Sequence, residues 1–242
     1  MENSFYNIAI LGANGTIGKA YLSHFSELDN VKTIYAFSRS KVSSKSAKVI
    51  PYKINYNNEE EIKASAMISS KIRKLDLVIV ANGILYDNQA FPEKKISEIS
   101  IDNLKKLFFV NTILPLIFAK HFLPQLSNEN TSVFAFMSAR IGSISDNRLG
   151  GWYSYRASKA SLNMMIKNLS IEIERTNKKA VIVGLHPGTV DSPLSKPFQK
   201  NIPKNKLFSP EFSIRQLSKV IYSLKPEDSG KIYAWDGVEI NP

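Results

Sequence analysis

Tyr155 and Lys159 stand four residues apart in the run Tyr155-Arg156-Ala157-Ser158-Lys159. The surrounding stretch, Tyr155 to Glu174, is patterned as a long helix, so the two side chains share one face. An ammonium beside a phenol favours the phenolate and lowers its pKa, which suits a general acid or base near neutral pH. The same spacing also occurs in ordinary exposed helical pairs, so the pair needs company before it implies chemistry. A second group supplies it. Gly12, Gly15 and Gly18, interleaved with Asn14, Thr16 and Ile17, follow a strand-like apolar run and open a helix. Glycines in that place permit a tight turn, close approach of the backbone to a pyrophosphate, and close helix–strand contact. The helix N-terminus offers unpaired N–H groups to phosphate. A third group selects the ligand. The second strand ends in Phe37-Ser38-Arg39-Ser40, without the acid that accepts from the ribose hydroxyls of NAD. Arg39 and Ser38 suit a 2′-phosphate, so the expected cofactor is NADP(H).

These groups need a frame to hold them. Apolar runs at Phe5–Leu11, Val31–Phe37, Val49–Ile54, Leu75–Ala81, Ser132–Met137, Ala180–Leu185 and Lys231–Trp235 read as strands. Pro51 suggests that the third lies near an edge or that the proline stands near a strand start. The fourth is almost continuously apolar, as a strand covered on both faces should be. Helical stretches lie between them: Glu59–Ser70, with Ile62, Ala66 and Met67 on one side; Asp102–Leu123, with a kink expected at Pro115; and Ile214–Leu224. The alternation predicts an α/β fold over residues 1–242: a single Rossmann-like, doubly wound domain with a mostly parallel sheet of about seven strands flanked by helices. Ligand sites in such folds lie at the carboxyl ends of strands, where the irregular segments Ile84–Ile101 and His186–Pro210 begin.

Composition removes other classes. The chain has 242 residues, 43% hydrophobic and 22% charged, and no cysteine. Disorder, thiol catalysis and cysteine-ligated metal are excluded. No uninterrupted apolar run reaches the ~18–20 residues that cross a bilayer; Leu107–Leu123 is broken by Asn111, Lys120 and His121. Met1-Glu2-Asn3-Ser4 lacks the opening of a signal peptide, which makes the cytoplasm the expected location. A net charge of +11 is scattered rather than clustered, so neither nucleic acid nor membrane is an expected specific partner. His24, His121 and His186 have no ligand spacing, and Glu59-Glu60-Glu61 reads as the acidic first turn of a helix. Phe108 and Phe109 read as core or helix-packing residues.

The motifs occur in an order that resembles the short-chain dehydrogenase/reductase family over essentially the full length. After the glycine turn come Ala81-Asn82-Gly83, Asn111, Tyr155-x-x-x-Lys159 and Pro187-Gly188-Thr189-Val190-Asp191-Ser192. Arg140-Ile141-Gly142-Ser143-Ile144 and Tyr233-Ala234-Trp235-Asp236-Gly237 resemble most the C-factor-type, C-signal-like group within it. The resemblance implies that Tyr155 exchanges a proton with the substrate oxygen while the nicotinamide exchanges a hydride with its carbon. It implies that Lys159 binds the nicotinamide ribose and tunes Tyr155, and that Asn111 holds a water in a proton relay. It further implies that Pro187 to Val190 line the nicotinamide, that Ser192 bonds its carboxamide, and that Asn55 lies beside the adenine. Members of the family often pair through the helices that here span Asp102–Leu123 and Tyr155–Glu174. With Leu107, Phe108, Phe109, Leu162, Met165 and Leu169 there, a homodimer or homotetramer is expected.

Three departures stand out. The second glycine comes one position early, with Thr16 in its usual place. Val80-Ala81-Asn82-Gly83 replaces the usual asparagine pair, so Asn82 is expected to compensate for a lost inter-strand bond. The family's strand-five motif is commonly Ser-Ser-x-x-Gly; aligned on Gly142, its carbonyl-polarising serine falls on Ala139. Ser138 or Ser143 would then have to supply the hydroxyl, and Ser138 is taken as the catalytic candidate. The resulting expectation is an NADP(H)-dependent oxidoreductase acting on a small-molecule carbonyl or secondary alcohol. The alternatives are an NADP-binding sensor or signalling protein with little catalysis, or a basic polyanion-binding protein.

Overall fold

β-Branched and aromatic residues build the strands, and their alternation decides which layer each side chain enters. The computed structural model describes residues 5–87 and 91–242. Met1–Ser4 and part of the Ile84–Ile101 segment lie outside the described residues. Strand β1 (Asn7–Leu11) leads through the glycine turn into helix α1 (Thr16–Ser26), then β2 (Thr33–Ser38), β3 (Val49–Lys53), α2 (Glu59–Ser70) and β4 (Leu77–Val80). Helix α3 (Ile101–Phe108), a π-helical turn (Phe109–Ile113) and α4 (Leu114–Phe122) follow. Next come β5 (Ser132–Met137), α5 (Tyr153–Glu174), β6 (Ala180–His186), the short pair β7 (Thr189–Val190) and β8 (Leu207–Phe208), α6 (Pro210–Ser223) and β9 (Ile232–Ala234).

The main sheet has seven strands in the order β3-β2-β1-β4-β5-β6-β9, and every pair in it is parallel. The order reverses between β1 and β4, where a crevice opens at the carboxyl ends. This is the doubly wound Rossmann-like architecture expected, with Pro51 on the edge strand β3. Ile8 and Ile10 of β1 face a layer made with α1 and α6, while Ala9 and Leu11 face α2, α4 and α5. Covering both faces explains the unbroken Leu77-Val78-Ile79-Val80, all buried.

Several expectations need correction. The break in the stretch 102–123 is the π-helical turn at Phe109–Ile113, just before Pro115, rather than a kink at the proline. One extra residue in the turn puts Pro115 near the start of a fresh segment, where its missing N–H costs little. Met67 is exposed, because α2 turns Ile62, Ser65, Ala66 and Ser69 inward. Leu107 and Leu162 are fully buried within the chain and contribute no outward surface. The helical stretch Ile101–Gln125 is long and apolar enough, by length and composition, to cross a membrane, yet half of its most apolar part is buried inside the fold. Phe118 and Phe122 in it pack against Tyr56 and Phe37.

Candidate active site

The crevice holds two adjoining sites. The first is a cleft of about 320 Å³ around the glycine turn. Gly12 has φ +82°, and a Cβ there would lie 3.0 Å from Asn82 Oδ1; a Cβ at Gly18 would lie 2.3 Å from the Gly12 carbonyl. Both positions therefore require glycine. At Gly15 the nearest atom is 3.4 Å away, so the space over the N-terminus of α1 is open. No side chain caps that terminus and its first turn carries no acid. The N–H groups of Thr16 and Ile17 thus begin the helix unopposed, a donor set that fits a pyrophosphate. The early glycine leaves this logic intact.

Arg39, Ser38, Asn14, Asn55, Ala81, Asn82 and Gly83 all border the same cleft. Asn14 Nδ2 donates to Ser40 Oγ at 2.7 Å, tying the glycine turn to the end of β2. The Arg39 guanidinium lies 5.9 Å from the centre of the Tyr56 ring. Asn55 Oδ1 accepts from Asn57 N at 3.0 Å, and its own N–H donates to Glu61. Tyr56, which sequence reading missed, is a strut beneath the cleft. Its hydroxyl accepts from Gly12 N at 3.0 Å and donates to Phe37 O at 3.3 Å. Asn82 Oδ1, beside Gly12, is buried without a hydrogen-bond partner among the described residues. Phe109 and Val110, from the π-helical turn, close the cleft's other wall.

The second site lies deeper, at the ends of β4 and β5. A Cβ placed on Gly83 would be 3.8 Å from both Asn111 Oδ1 and Lys159 Nζ, so three of the expected residues converge there. Asn111 Oδ1 accepts from Ile84 N at 2.8 Å, and its Nδ2 donates to Ile84 O and Ser158 Oγ. Thr112 Oγ1 donates to Ser158 O at 2.8 Å, locking the π-helical turn to α5. Pro115, four residues after Asn111, has no N–H to give the Asn111 carbonyl. Lys159 Nζ donates to Met137 O at 2.8 Å, from a buried position. Burial lowers Lys159 to about 8 and pushes Tyr155 up to about 12. Desolvation thus governs both groups, and it opposes the phenolate-favouring effect expected from the spacing.

The two serines near the strand-five turn are held differently. Ser138 Oγ, buried, donates to Asn163 Oδ1 at 2.6 Å. Ser143 Oγ accepts from Asp146 N at 3.1 Å. Ala139 takes an extended conformation just before a short 3₁₀ turn at Arg140–Gly142. His186, at the end of β6, is pushed down to about 4, mainly by burial and then by Arg140. The loop after β6 is shaped by Gly188, with φ +73°, where a Cβ would come within 2.6 Å of Phe208. Ser213 Oγ holds Pro187 O at 2.7 Å, and Thr189–Val190 pair with Leu207–Phe208. Ser192 Oγ donates to Val190 O at 3.2 Å.

Aromatic rings that the sequence reading did not single out wall the space over Tyr155. Trp152 lies 6.3 Å from Tyr155 and 4.9 Å from Phe198; Phe198 lies 5.7 Å from Tyr86, which stacks on Phe91. Tyr86 OH donates to Pro193 O, so the segments after β4 and β6 meet above the site. No spacing marks these rings, because they come from separate loops.

The short chain dehydrogenase family matches residues 6–203 of the chain. A 1-hydroxy-2-glutathionyl-2-methyl-3-butene dehydrogenase of Rhodococcus sp. (strain AD45) is 31% identical over 185 residues, 76% of each chain. The C-signal protein of Myxococcus xanthus is 30% identical over 145 residues, covering 60% of this chain and 82% of that one. The structure of an NADPH-bound carbonyl reductase from chicken fatty liver superposes with a TM-score of 0.84 at 24% identity, covering 99% of this chain and 100% of that one.

Proposed function

The chain belongs to the short chain dehydrogenase family, and from that premise we propose that it is an NADP(H)-dependent oxidoreductase interconverting a small-molecule carbonyl and its secondary alcohol. The observation that carries this reading is the convergence of Asn111, Gly83 and Lys159 beside Tyr155, next to a cleft whose glycines and helix terminus fit a dinucleotide. The nicotinamide, when bound, supplies or accepts the hydride. The protein's own residues handle the proton. Tyr155, neutral up to high pH because it is buried, gives its phenolic proton to the substrate oxygen during reduction. Lys159 holds a ribose hydroxyl and stabilises the phenolate left behind. The carbonyl of Asn111, to which Pro115 has no N–H to give, holds a water that returns a proton through Lys159. Arg39 and Ser38 take the 2′-phosphate, and the NADPH named in the chicken reductase structure is consistent with that. Pro187 to Val190 border the nicotinamide, with Ser192 toward its carboxamide. The same reading takes the protein as a cytoplasmic homo-oligomer with neither nucleic acid nor membrane as a specific partner.

A second reading, an NADP-binding sensor or signalling protein, is favoured by Ala139 together with the Ser138 hydroxyl, whose proton already goes to Asn163. Two measurements separate the readings: direct titration with NADPH, and turnover over a panel of ketones and aldehydes. Binding with turnover supports the reductase. Binding without turnover across the panel overturns it in favour of the sensor.

A further inference from the structure

Helix α5 enters the active site in a strained way. Gly150, Gly151 and Trp152 are three consecutive residues with φ of 63°, 62° and 52°. Trp152 is the one non-glycine residue with positive φ among the described residues. It occupies the N-cap position, yet its side chain caps nothing. A left-handed tryptophan is disfavoured by the approach of its Cβ to the backbone carbonyl and persists only where its surroundings enforce it.

The enforcing group is Glu93, from the segment after β4. Glu93 is 2% exposed. Its carbonyl accepts from Trp152 N at 2.5 Å. Its carboxylate accepts from Ser154 N at 3.2 Å and from Ser154 Oγ, and Asn103 Nδ2 of α3 donates to it at 2.7 Å. These bonds hold the carboxylate below its usual pKa despite the cost of burial, so it is anionic at the positive end of α5. Glu93 therefore does from another segment what an N-cap side chain normally does from within the helix. The residue after Ser154 is Tyr155.

We propose that Glu93 is a positioning residue for the proton donor: its carboxylate sets the first turn of α5, and with it the place of the Tyr155 hydroxyl relative to the substrate. The proposal rests on the reductase reading for its catalytic consequence, but its structural content stands apart. Glu93 touches no reacting atom; it acts through Ser154. The bond from Asn103 fastens α3 to the same carboxylate.

The test uses the full chain with Glu93→Ala, Glu93→Gln, Ser154→Ala and the double variant Glu93→Ala/Ser154→Ala. In Glu93→Ala, kcat for a ketone substrate should fall between about 10- and 100-fold, the range expected of a misplaced catalytic group. The Kd for NADPH should stay within about twofold, since the glycine cleft is untouched. The solvent deuterium isotope effect on kcat should rise, because proton delivery becomes the slower step. Glu93→Gln, which keeps one acceptor, should recover part of the loss. The double variant should be no slower than Glu93→Ala alone, because both changes remove one linkage. A folded Glu93→Ala with wild-type kcat and isotope effect overturns the proposal, as do additive losses in the double variant.

A second readout does not depend on turnover. In a Trp235→Phe background, Trp152 is the sole tryptophan of the chain's two. Its emission should shift to the red in Glu93→Ala when the left-handed cap relaxes; unchanged emission overturns the proposal. If the wild type turns over no carbonyl, the reductase reading fails while this emission still decides the role of Glu93 in setting α5. If Glu93→Ala does not fold, Glu93→Gln carries the same measurements.

Discussion

Ala139 stands where the strand-five motif commonly supplies a hydroxyl, and the proton of the neighbouring Ser138 already goes to Asn163. A missing oxyanion donor typically costs about 2.7–4 kcal/mol of transition-state stabilisation. Carbonyl reduction should therefore be measurable but slow, and Ala139→Ser should raise kcat by about tenfold or more where the new hydroxyl reaches the substrate oxygen. Tyr155→Phe should abolish turnover and leave NADPH binding nearly unchanged, because the phenol acts in proton transfer. Steady-state rates and a binding titration on the three proteins check both. Arg39 governs a different property. It has no acid beside it at the end of β2, so Arg39→Asp replaces a charge-assisted phosphate contact with repulsion. Affinity for NADPH should fall by about 2 kcal/mol, within the range for bonds to charged groups, while NADH binding changes far less. Equal wild-type affinity for the two cofactors would contradict this.

Between α3 and α4, the π-helical turn places Asn111 against Ile84 and Ser158 and presents Phe109 to the cofactor cleft. Deleting Val110 would remove the extra residue that the turn accommodates and close it to a plain α-helix, displacing Phe109 and Asn111 from their present places. The deletion variant should retain near-wild-type far-ultraviolet circular dichroism yet lose at least about 100-fold in kcat. Survival of activity would show that the turn is incidental. This turn also marks the limit of what the sequence reveals. The strands were legible because a parallel sheet covered on both faces needs continuous apolar runs, as in Leu77–Val80. The glycine turn and the Tyr155–Lys159 pair were legible because each lies within one local segment of fixed spacing. A π-helical turn leaves no such trace: Pro115 announced a disturbance but not its kind or place. Glu93 and the rings of Trp152, Tyr86 and Phe198 were equally hidden. Their neighbours are more than fifty residues away in several cases, and the residue types alone fit any loop.

Across the whole molecule, stability and association follow from what is enclosed and what is left outside. His186 has a buried Nδ1 with no hydrogen-bond partner among the described residues, and burial lowers it from 6.5 to about 4. The fold thus refuses a proton that the unfolded chain accepts below pH 6.5. Stability should be unaffected above that pH and decline as pH falls from 6.5 toward 4, by on the order of 2–3 kcal/mol from this residue. Urea unfolding at pH 7.5 and 5.0 should show a smaller difference for His186→Gln than for the wild type. Outside, Ile101, Ile113, Met164 and Ile171 are 69%, 47%, 58% and 45% exposed. They lie on the helices expected to pair two copies, and such apolar surface favours association. Light scattering at micromolar concentration should give a dimer or tetramer mass; a monomer mass would rule this out. Ile113→Glu combined with Met164→Glu should lower the mass of an oligomer to that of one chain.

The strand order carries a consequence for how the chain is made. Strands β1 to β4 are complete by residue 80, and β4 has one neighbour by then, β1. Its other neighbour, β5, begins at Ser132. A ribosome adding about 5–20 residues per second leaves the open edge of Leu77-Val78-Ile79-Val80 waiting several seconds for its partner. An unpaired apolar edge is a template for pairing with another nascent chain. Fragments ending between β4 and β5 should therefore aggregate where the full chain does not, and shielding that edge during synthesis should raise the yield of folded protein.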